Sequence, residues 1–207
     1  VIDGGGRNSI SLRRLNLRRG SLGKGKIALA AHWEGVKELG SYCYMHISHP
    51  GYTGIAPVGH NRANVVLVVD RNYLIGVNVE QFFMTTVLGN RLRERILGGG
   101  TPVEKIRTVD SLAYSVKKIR CGGLLLVGDA TGFIDPFTGE GIYLSLRSSQ
   151  LAVGVVENAF DKSDFSSRQL QSYDLTRKKE FRKKNILSKF LQRLIYKPYF
   201  CNRVVET

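Results

Sequence analysis

Residues 128–142 read GDATGFIDPFTGEGI and follow directly on the apolar run Leu124-Leu125-Leu126-Val127. The order predicts a buried strand ending at Gly128-Asp129, a loop carrying Gly132 and Pro136, and a helix opening at Gly139-Glu140-Gly141. The first N–H groups of a helix are unpaired and partly positive, so such a terminus suits an anion or a dipole. Glycines at these points let a planar or phosphorylated ligand touch the main chain. Asp129, at the carboxyl end of the strand, is placed to accept hydrogen bonds from ligand hydroxyls, as carboxylates do for ribose in dinucleotide sites. The same glycines would also serve a plain strand-to-helix turn that needs positive φ and close packing.

Other side chains offer less. The four histidines, His32, His46, His49 and His60, titrate near neutral pH, but their spacing makes no metal or triad constellation. His46 and His49 flank the strand that carries Tyr52, and these three are the acid–base candidates; His32 and His60 read as structural. Glu140 reads as a cap residue favoured by the helix dipole, and Arg7 as a contact to ligand or to solvent. Cys43, Cys121 and Cys201 form no CxxC, which gives no support to a zinc site or a disulfide framework and leads to a reducing, cytoplasmic setting as the expectation.

The elements that must position this stretch follow from periodicity. LGKGKIALAAHWEG, SYCYMHIS and ANVVLVVD read as strands, and GYTGIAPVG as a short strand cut by glycines, together an antiparallel sheet. QFFMTTVLGNRLRERIL (81–97) has helical spacing and stops at Gly98-Gly99-Gly100; LAYSVKKI and GGLLLVGD are further strands, the second buried on both faces. Ile142 to Phe160 is a long helix whose Ser145, Ser148, Ser149, Ala152 and Gly154 allow close packing. The fold class is α/β with mixed α+β character.

At 207 residues and 43% hydrophobic, the chain can bury one core or two small ones. No window of eighteen apolar residues is uncharged, and VIDGGGRNSISLRR lacks the pattern of a secretory signal. The net charge of +14 sits at the ends: residues 1–26 hold seven basic and one acidic residue, 168–207 eleven and three, and 27–167 thirteen of each. RKKEFRKKNILSKFLQRLIYKPYF places Ile186, Leu187, Phe190, Leu191, Leu194 and Ile195 in one stripe with Lys and Arg opposite. This basic amphipathic helix, 177–197, either lies on the body of the protein or meets an anionic membrane surface. Nucleic acid is not expected, because stacking aromatics and a recognised module are lacking.

The pattern G-D-A-x-G-F-x-D-P-x-x-G-E-G-I closely resembles the second FAD-binding motif of flavoprotein oxidoreductases that include p-hydroxybenzoate-hydroxylase-like monooxygenases and geranylgeranyl-reductase-like enzymes. The resemblance implies FAD as cofactor, with Gly128, Asp129, Gly132, Pro136, Gly139, Glu140, Gly141 and Ile142 beside it, Asp129 on the ribityl chain and Gly139 to Ile142 at the N1/C2=O edge of the flavin. It implies NAD(P)H as an electron donor and an apolar, isoprenoid or aromatic, small-molecule substrate. VIDGGGRNSISLRRLNL is similar to the family segment ending Asp-Gly-x-x-Ser, with Gly6, Arg7, Asn8 and Ser9 matching and Gly5 where the family has aspartate; Asp3 lies two residues early. HPGYTGIAPVG is similar to the substrate-sheet strand of geranylgeranyl reductases, keeping Tyr52 and Pro57 but with Gly54 and Ala56 replacing two aromatics, which would widen the pocket. Trp33 is the only tryptophan, so the halogenase W-x-W-x-I-P signature is absent.

The family's amino-terminal G-x-G-x-x-G unit is missing; Gly20, Gly23 and Gly25 have the wrong order and open no helix. A fragment of a longer polypeptide is placed first, ahead of pairing with a separate chain or loss of tight FAD binding. The resulting organisation is a partial Rossmann-like FAD domain from 1–26 and 108–165, an antiparallel substrate sheet with helix over 27–107, and a basic helical segment over 166–207. The two functional readings are an FAD-dependent oxidoreductase working by reduction or hydroxylation, and a truncated non-catalytic module that uses its basic ends for a membrane or protein partner.

Overall fold

The computed structural model describes residues 1–21, 25–36, 39–110, 112–133 and 135–195. Gly23 and residues 196–207, with Tyr196 and Lys197 of the basic segment and Cys201, lie outside the described residues. The chain divides into two compact units, one formed by Val1–Gly23 with Ala113–Gln192, the other containing Lys24–Leu112.

In the first unit, β1 (Ile2–Asp3) pairs in parallel with β10 (Leu125–Leu126), and β2 (Arg18–Ser21) pairs antiparallel with β9 (Tyr114–Val116). Between β1 and β2 lies the short helix α1 (Ile10–Arg14); α4 (Gly141–Asp161) and α5 (Ser167–Ile195) follow β10. Although β10 is short, side chains along Leu124–Val127 alternate between two cores. Leu124 and Leu126 pack with Leu12, Leu17, Tyr114 and Ala130; Leu125 and Val127 pack with Ala152, Ala159, Leu170 and Tyr173. That alternation explains the uninterrupted apolar run: both faces of the strand are covered. Tyr173 of α5 donates its hydroxyl to the Leu126 carbonyl at 2.8 Å, which ties the second core to the strand.

In the second unit, β4 (Tyr44–Ser48), β5 (Gly51–Gly59), β6 (Arg62–Asp70) and β3 (Lys26–Glu34) form an antiparallel sheet in that order. The short strands β7 (Thr101–Pro102) and β8 (Arg107–Asp110) both pair with the far edge of β3. One face is packed by Leu29, Ala31, Trp33, Ile55, Val65, Leu67 and Val69 against Phe83, Val87 and Leu97 of the helical segment. Trp33 is therefore a core residue, with its ring 6.1 Å from that of Phe83.

Two expectations are corrected here. GYTGIAPVG is not a short, cut strand but a nine-residue central one, paired on both sides, whose only irregularity is a register shift at Pro57/Gly59; cross-strand pairing outweighs the weak propensity of its glycines. The single helix over 81–97 is two helices, α2 (Val79–Leu88) and α3 (Arg91–Leu97). Gly89 ends the first, and Asn90 starts the second by accepting the N–H groups of Leu92 and Arg93 on its side-chain oxygen.

Candidate functional site

The turn after β1 is built around Asp3. One carboxylate oxygen accepts the Gly5 N–H at 2.8 Å; the other accepts the Ser9 hydroxyl at 2.7 Å and the Ser11 N–H at 3.0 Å. Fully buried Ser9 in turn caps α1 by accepting the Leu12 N–H. Burial works against the charged carboxyl, yet the hydrogen bonds from Ser11, Ser9 and Gly5 outweigh it and hold Asp3 well below the usual carboxylate range. Gly4-Gly5-Gly6 is thus a fastened turn, organised by the aspartate that lies two residues early.

This turn faces the end of β10. A Cβ on Gly6 would lie 3.9 Å from the Asp129 Cβ, and Arg7 acts electrostatically on the half-buried Asp129 carboxyl. Burial pushes the Asp129 carboxyl up, while Arg7 pulls it the other way. Among the described residues, none donates a hydrogen bond to that carboxylate; it is the Asp129 backbone carbonyl that is engaged, by the Tyr114 hydroxyl at 2.5 Å and the Gly132 N–H at 3.0 Å. Burial, with the Asp129 charge adding to it, raises Tyr114 to about 12, so it stays a donor, and the Arg18 guanidinium stacks 4.3 Å from its ring centre.

The loop itself is folded by short-range bonds. Gly128, at φ +58°, donates its N–H to Ser148 Oγ of α4 at 2.8 Å, and Thr131 donates its hydroxyl back to the Gly128 carbonyl. Gly132 adopts φ 118°, ψ 157°, open in practice only to glycine. Asp135 then accepts the Phe137 N–H and starts a single turn, Pro136–Thr138, with proline at its first position. Gly139 reverses the chain at φ +66°, and α4 begins at Gly141, one residue before the expected start. Of the small residues expected to permit close packing, Ser145, Ser148 and Ala152 turn inward; Ser149 and Gly154 face outward.

Glu140 occupies the N-cap position of α4 but does not act as the expected cap: its side chain makes no capping hydrogen bond. Its carboxylate instead accepts Lys184 Nζ of α5 at 2.6 Å. The first helical N–H to be paired is that of Leu144, to the Glu140 carbonyl, so the amides of Gly141, Ile142 and Tyr143 have no partner within the helix. Ile142 stands out from this end with 79% of its surface exposed.

The second unit does not gather its three candidates. His46 opposes Thr53 across β4 and β5, on the helix-covered face, whereas Tyr52 points to the opposite face and is buried there. His49 lies beyond the end of β4, with Nε2 2.9 Å from the Tyr73 hydroxyl. His60 sits with Asn61 in the hairpin turn, both at positive φ, and His32 pairs with Glu104 at 2.8 Å. Gly54 and Ala56 of β5 share the face away from α2 and α3 with Ala28 and Ala30 of β3; Asn64, Val66 and Val68 of β6 lie between them, and Met45 and Ile47 of β4 border them.

A residue without a sequence signal of its own is Arg93. It is 2% exposed, and its guanidinium donates to the Val87 and Thr86 carbonyls at 2.8 and 2.7 Å and to Ser48 Oγ at 2.8 Å. It thereby satisfies the final carbonyls of α2 and pins the α2–α3 joint to β4. Burial and then Arg93 lower the neighbouring His46 below the usual histidine value. Its position in a charged helical segment, RLRERIL, resembles that of a solvated arginine; only the break at Gly89-Asn90 hints otherwise.

Comparison with known proteins places this geometry. The family model for squalene epoxidase matches residues 78–199. Digeranylgeranylglycerophospholipid reductase of Methanocaldococcus jannaschii is 34% identical over 125 residues, covering 60% of this chain and 30% of that protein. Among solved structures, the flavin-dependent halogenase CmlS superposes with a TM-score of 0.77 at 23% identity over 88% of this chain and 34% of its own. A geranylgeranyl bacteriochlorophyll reductase-like protein of Thermoplasma acidophilum gives 0.69 at 24% identity over 84% and 44%. The likeness to the two structures is one of fold, and the chain spans about a quarter to a third of the length of the curated relatives it matches. Since the family match takes in the whole Gly128–Ile142 loop and more than half of the 207 residues, this chain belongs to the squalene epoxidase family.

Proposed function

We propose that this chain forms the flavin-facing and substrate-facing part of an FAD-dependent oxidoreductase that acts on an apolar, isoprenoid or aromatic, substrate by reduction or oxygenation. The observation that carries the reading is Asp129, a half-buried carboxylate at a strand end that receives no hydrogen bond from the described residues. Its acceptors fit the hydroxyls of a ribityl chain. A Cβ added at Gly139 or Gly141 would meet nothing within 4 Å, so the loop leaves room where the ring edge would lie. The open amides of Gly141, Ile142 and Tyr143 fit the N1/C2=O edge.

When bound, FAD supplies two-electron chemistry or oxygen activation, with NAD(P)H as the proposed donor. The part of the protein is placement and electrostatics. The α4 dipole favours an anionic, reduced ring over a neutral, oxidised one and so raises its potential. Asp129 orients the chain that carries the ring. The Ala30, Val66 and Gly54 patch supports an apolar substrate, because its partly exposed surface offers contact area without polar side chains to desolvate. The matches to reductases and halogenases favour this reading over a non-catalytic module.

Gel filtration of the purified chain after mixing with FAD tests it. Flavin absorbance that travels with the protein, and falls in Asp129→Asn, is the expected result. No retention, or equal retention by Asp129→Asn, overturns the reading. Oxygen consumption with NAD(P)H and a candidate substrate then assigns oxygenation, and anaerobic turnover assigns reduction.

The exposed side of α5 supports a second element of this proposal, peripheral contact with an anionic membrane. Ile186, Leu187 and Phe190 stand out beside Arg182, Lys183 and Lys189, while Ile195 of the predicted stripe is buried. An apolar strip flanked by cations suits the headgroup boundary, where an isoprenoid substrate resides. Among the described residues, no helix is long and apolar enough to cross a membrane.

A further inference from the structure

We propose that Lys184 is a positioning residue for the flavin-facing loop: it draws the Glu140 carboxylate onto α5, keeps it off the first-turn amides of α4, and cancels its charge there. The inference deepens the FAD-binding reading and rests on it for its consequence at the cofactor, but not for the side-chain arrangement.

A carboxylate at a helix start is attracted to the unpaired amides beside it. Folded back, Glu140 would occupy the donors that an anionic ligand edge needs; left free, it would repel that edge. Neither arrangement is present. Lys184 Nζ holds Glu140 Oε1 at 2.6 Å and lies 4.4 Å from the centre of the Tyr143 ring. The hydrogen bond that it donates to the Glu140 carboxylate raises the Lys184 ammonium above its ordinary value, so its charge persists at neutral pH.

A single partly exposed ion pair is weak, and the pair is not alone. Tyr143 meets buried Phe181 of α5 edge-on, with ring centres 6.4 Å apart. Arg147 Nε donates to Glu180 at 2.8 Å, and Gln192 Nε2 reaches Asp135, the residue that starts the Pro136–Thr138 turn, at 3.3 Å. One helix therefore grips the loop on both sides of Gly139. These contacts limit the positions open to Glu140 and share the ordering cost among several side chains.

The test compares the full chain with Lys184→Met, Lys184→Arg and the double variant Lys184→Met/Glu140→Gln. Without flavin, NMR amide signals of Gly141, Ile142 and Tyr143 are followed through the carboxylate pH range. Their pH-dependent shift is expected to grow severalfold in Lys184→Met, as the freed carboxylate falls back on them, and to vanish in the double variant, with Lys184→Arg like the parent. No growth in Lys184→Met overturns the proposal whether or not flavin binds. With flavin, Lys184→Met weakens the preference for the reduced form about tenfold, a fall of about 30 mV for a two-electron couple, and the double variant restores it. A fall that Glu140→Gln does not restore marks Lys184 as merely structural and overturns its positioning role. If the parent chain retains no flavin, the functional reading falls, and the amide titration alone decides the role of Lys184.

Discussion

Gly128 lies close against Ser145 of α4: a Cβ on Gly128 would lie 2.8 Å from Ser145 Oγ and 3.3 Å from its Cβ. The backbone there has φ +58°. An alanine at Gly128 meets both obstacles, of which the left-handed backbone alone costs roughly 1–2 kcal/mol. Gly128→Ala is expected to lower the unfolding free energy by about 2 kcal/mol in urea titrations. Adding Ser145→Ala removes the 2.8 Å contact and recovers most of the steric share, but not the backbone share. Full recovery would show that the conformation is relaxed rather than imposed.

Under the proposed function, Asp129 is expected to set ligand binding against stability. Burial raises its carboxyl in the folded chain, so its charged form is the disfavoured one. The sign follows: stability present below the unfolded value near 3.9 is lost as pH rises through the higher folded value. Asp129→Asn removes that loss, and its unfolding free energy at neutral pH is expected to equal or exceed the parent's. FAD binding by the same variant weakens at least tenfold, since a hydrogen bond to a charged acceptor contributes about 1.5–3 kcal/mol. A variant that loses both stability and flavin would point to a structural aspartate.

Arg93 and His46 make the second unit sensitive to acid. Arg93→Met leaves the Thr86 and Val87 carbonyls and Ser48 without their donor, at a cost of about 3 kcal/mol. Lysine does not restore it, because one ammonium cannot reproduce the fork. His46, lowered by burial and by Arg93, is favoured in its neutral form. Its contribution is present above the unfolded value near 6.5 and is lost as pH falls below it. Urea unfolding at several pH values is expected to show this loss, and His46→Gln to flatten it.

Phe190 is 59% exposed, so its replacement is expected to leave the melting temperature unchanged. Phe190→Glu should reduce sedimentation with phosphatidylserine-containing vesicles severalfold, and added salt should reduce it in the parent. Equal binding to neutral phosphatidylcholine vesicles would remove the electrostatic part of the membrane proposal.

Much of the first unit was legible because its signals are local. The order strand, glycine turn, helix over residues 124–142 follows from an apolar run and four glycines whose positions allow few backbones. The antiparallel strands of the second unit followed from alternation and turn residues. Where expectation failed, a longer-range interaction had prevailed. Pairing on both sides made β5 continuous through its glycines, and Asn90 capping with Arg93 in the core divided one periodic segment into α2 and α3.

By itself the amino-acid sequence determined where most of the strands and helices run, where the glycine-rich loop lies, and that positive charge collects at the ends, because these depend on neighbours a few residues apart. Only the tertiary structure decided side-chain partnership. It directed Asp3 into its own turn, Glu140 to Lys184 rather than to the helix cap, Arg93 inward, and His46 to the opposite face from Tyr52. Such choices depend on which donor lies opposite which acceptor after elements distant in sequence have packed, and on how much water remains between them.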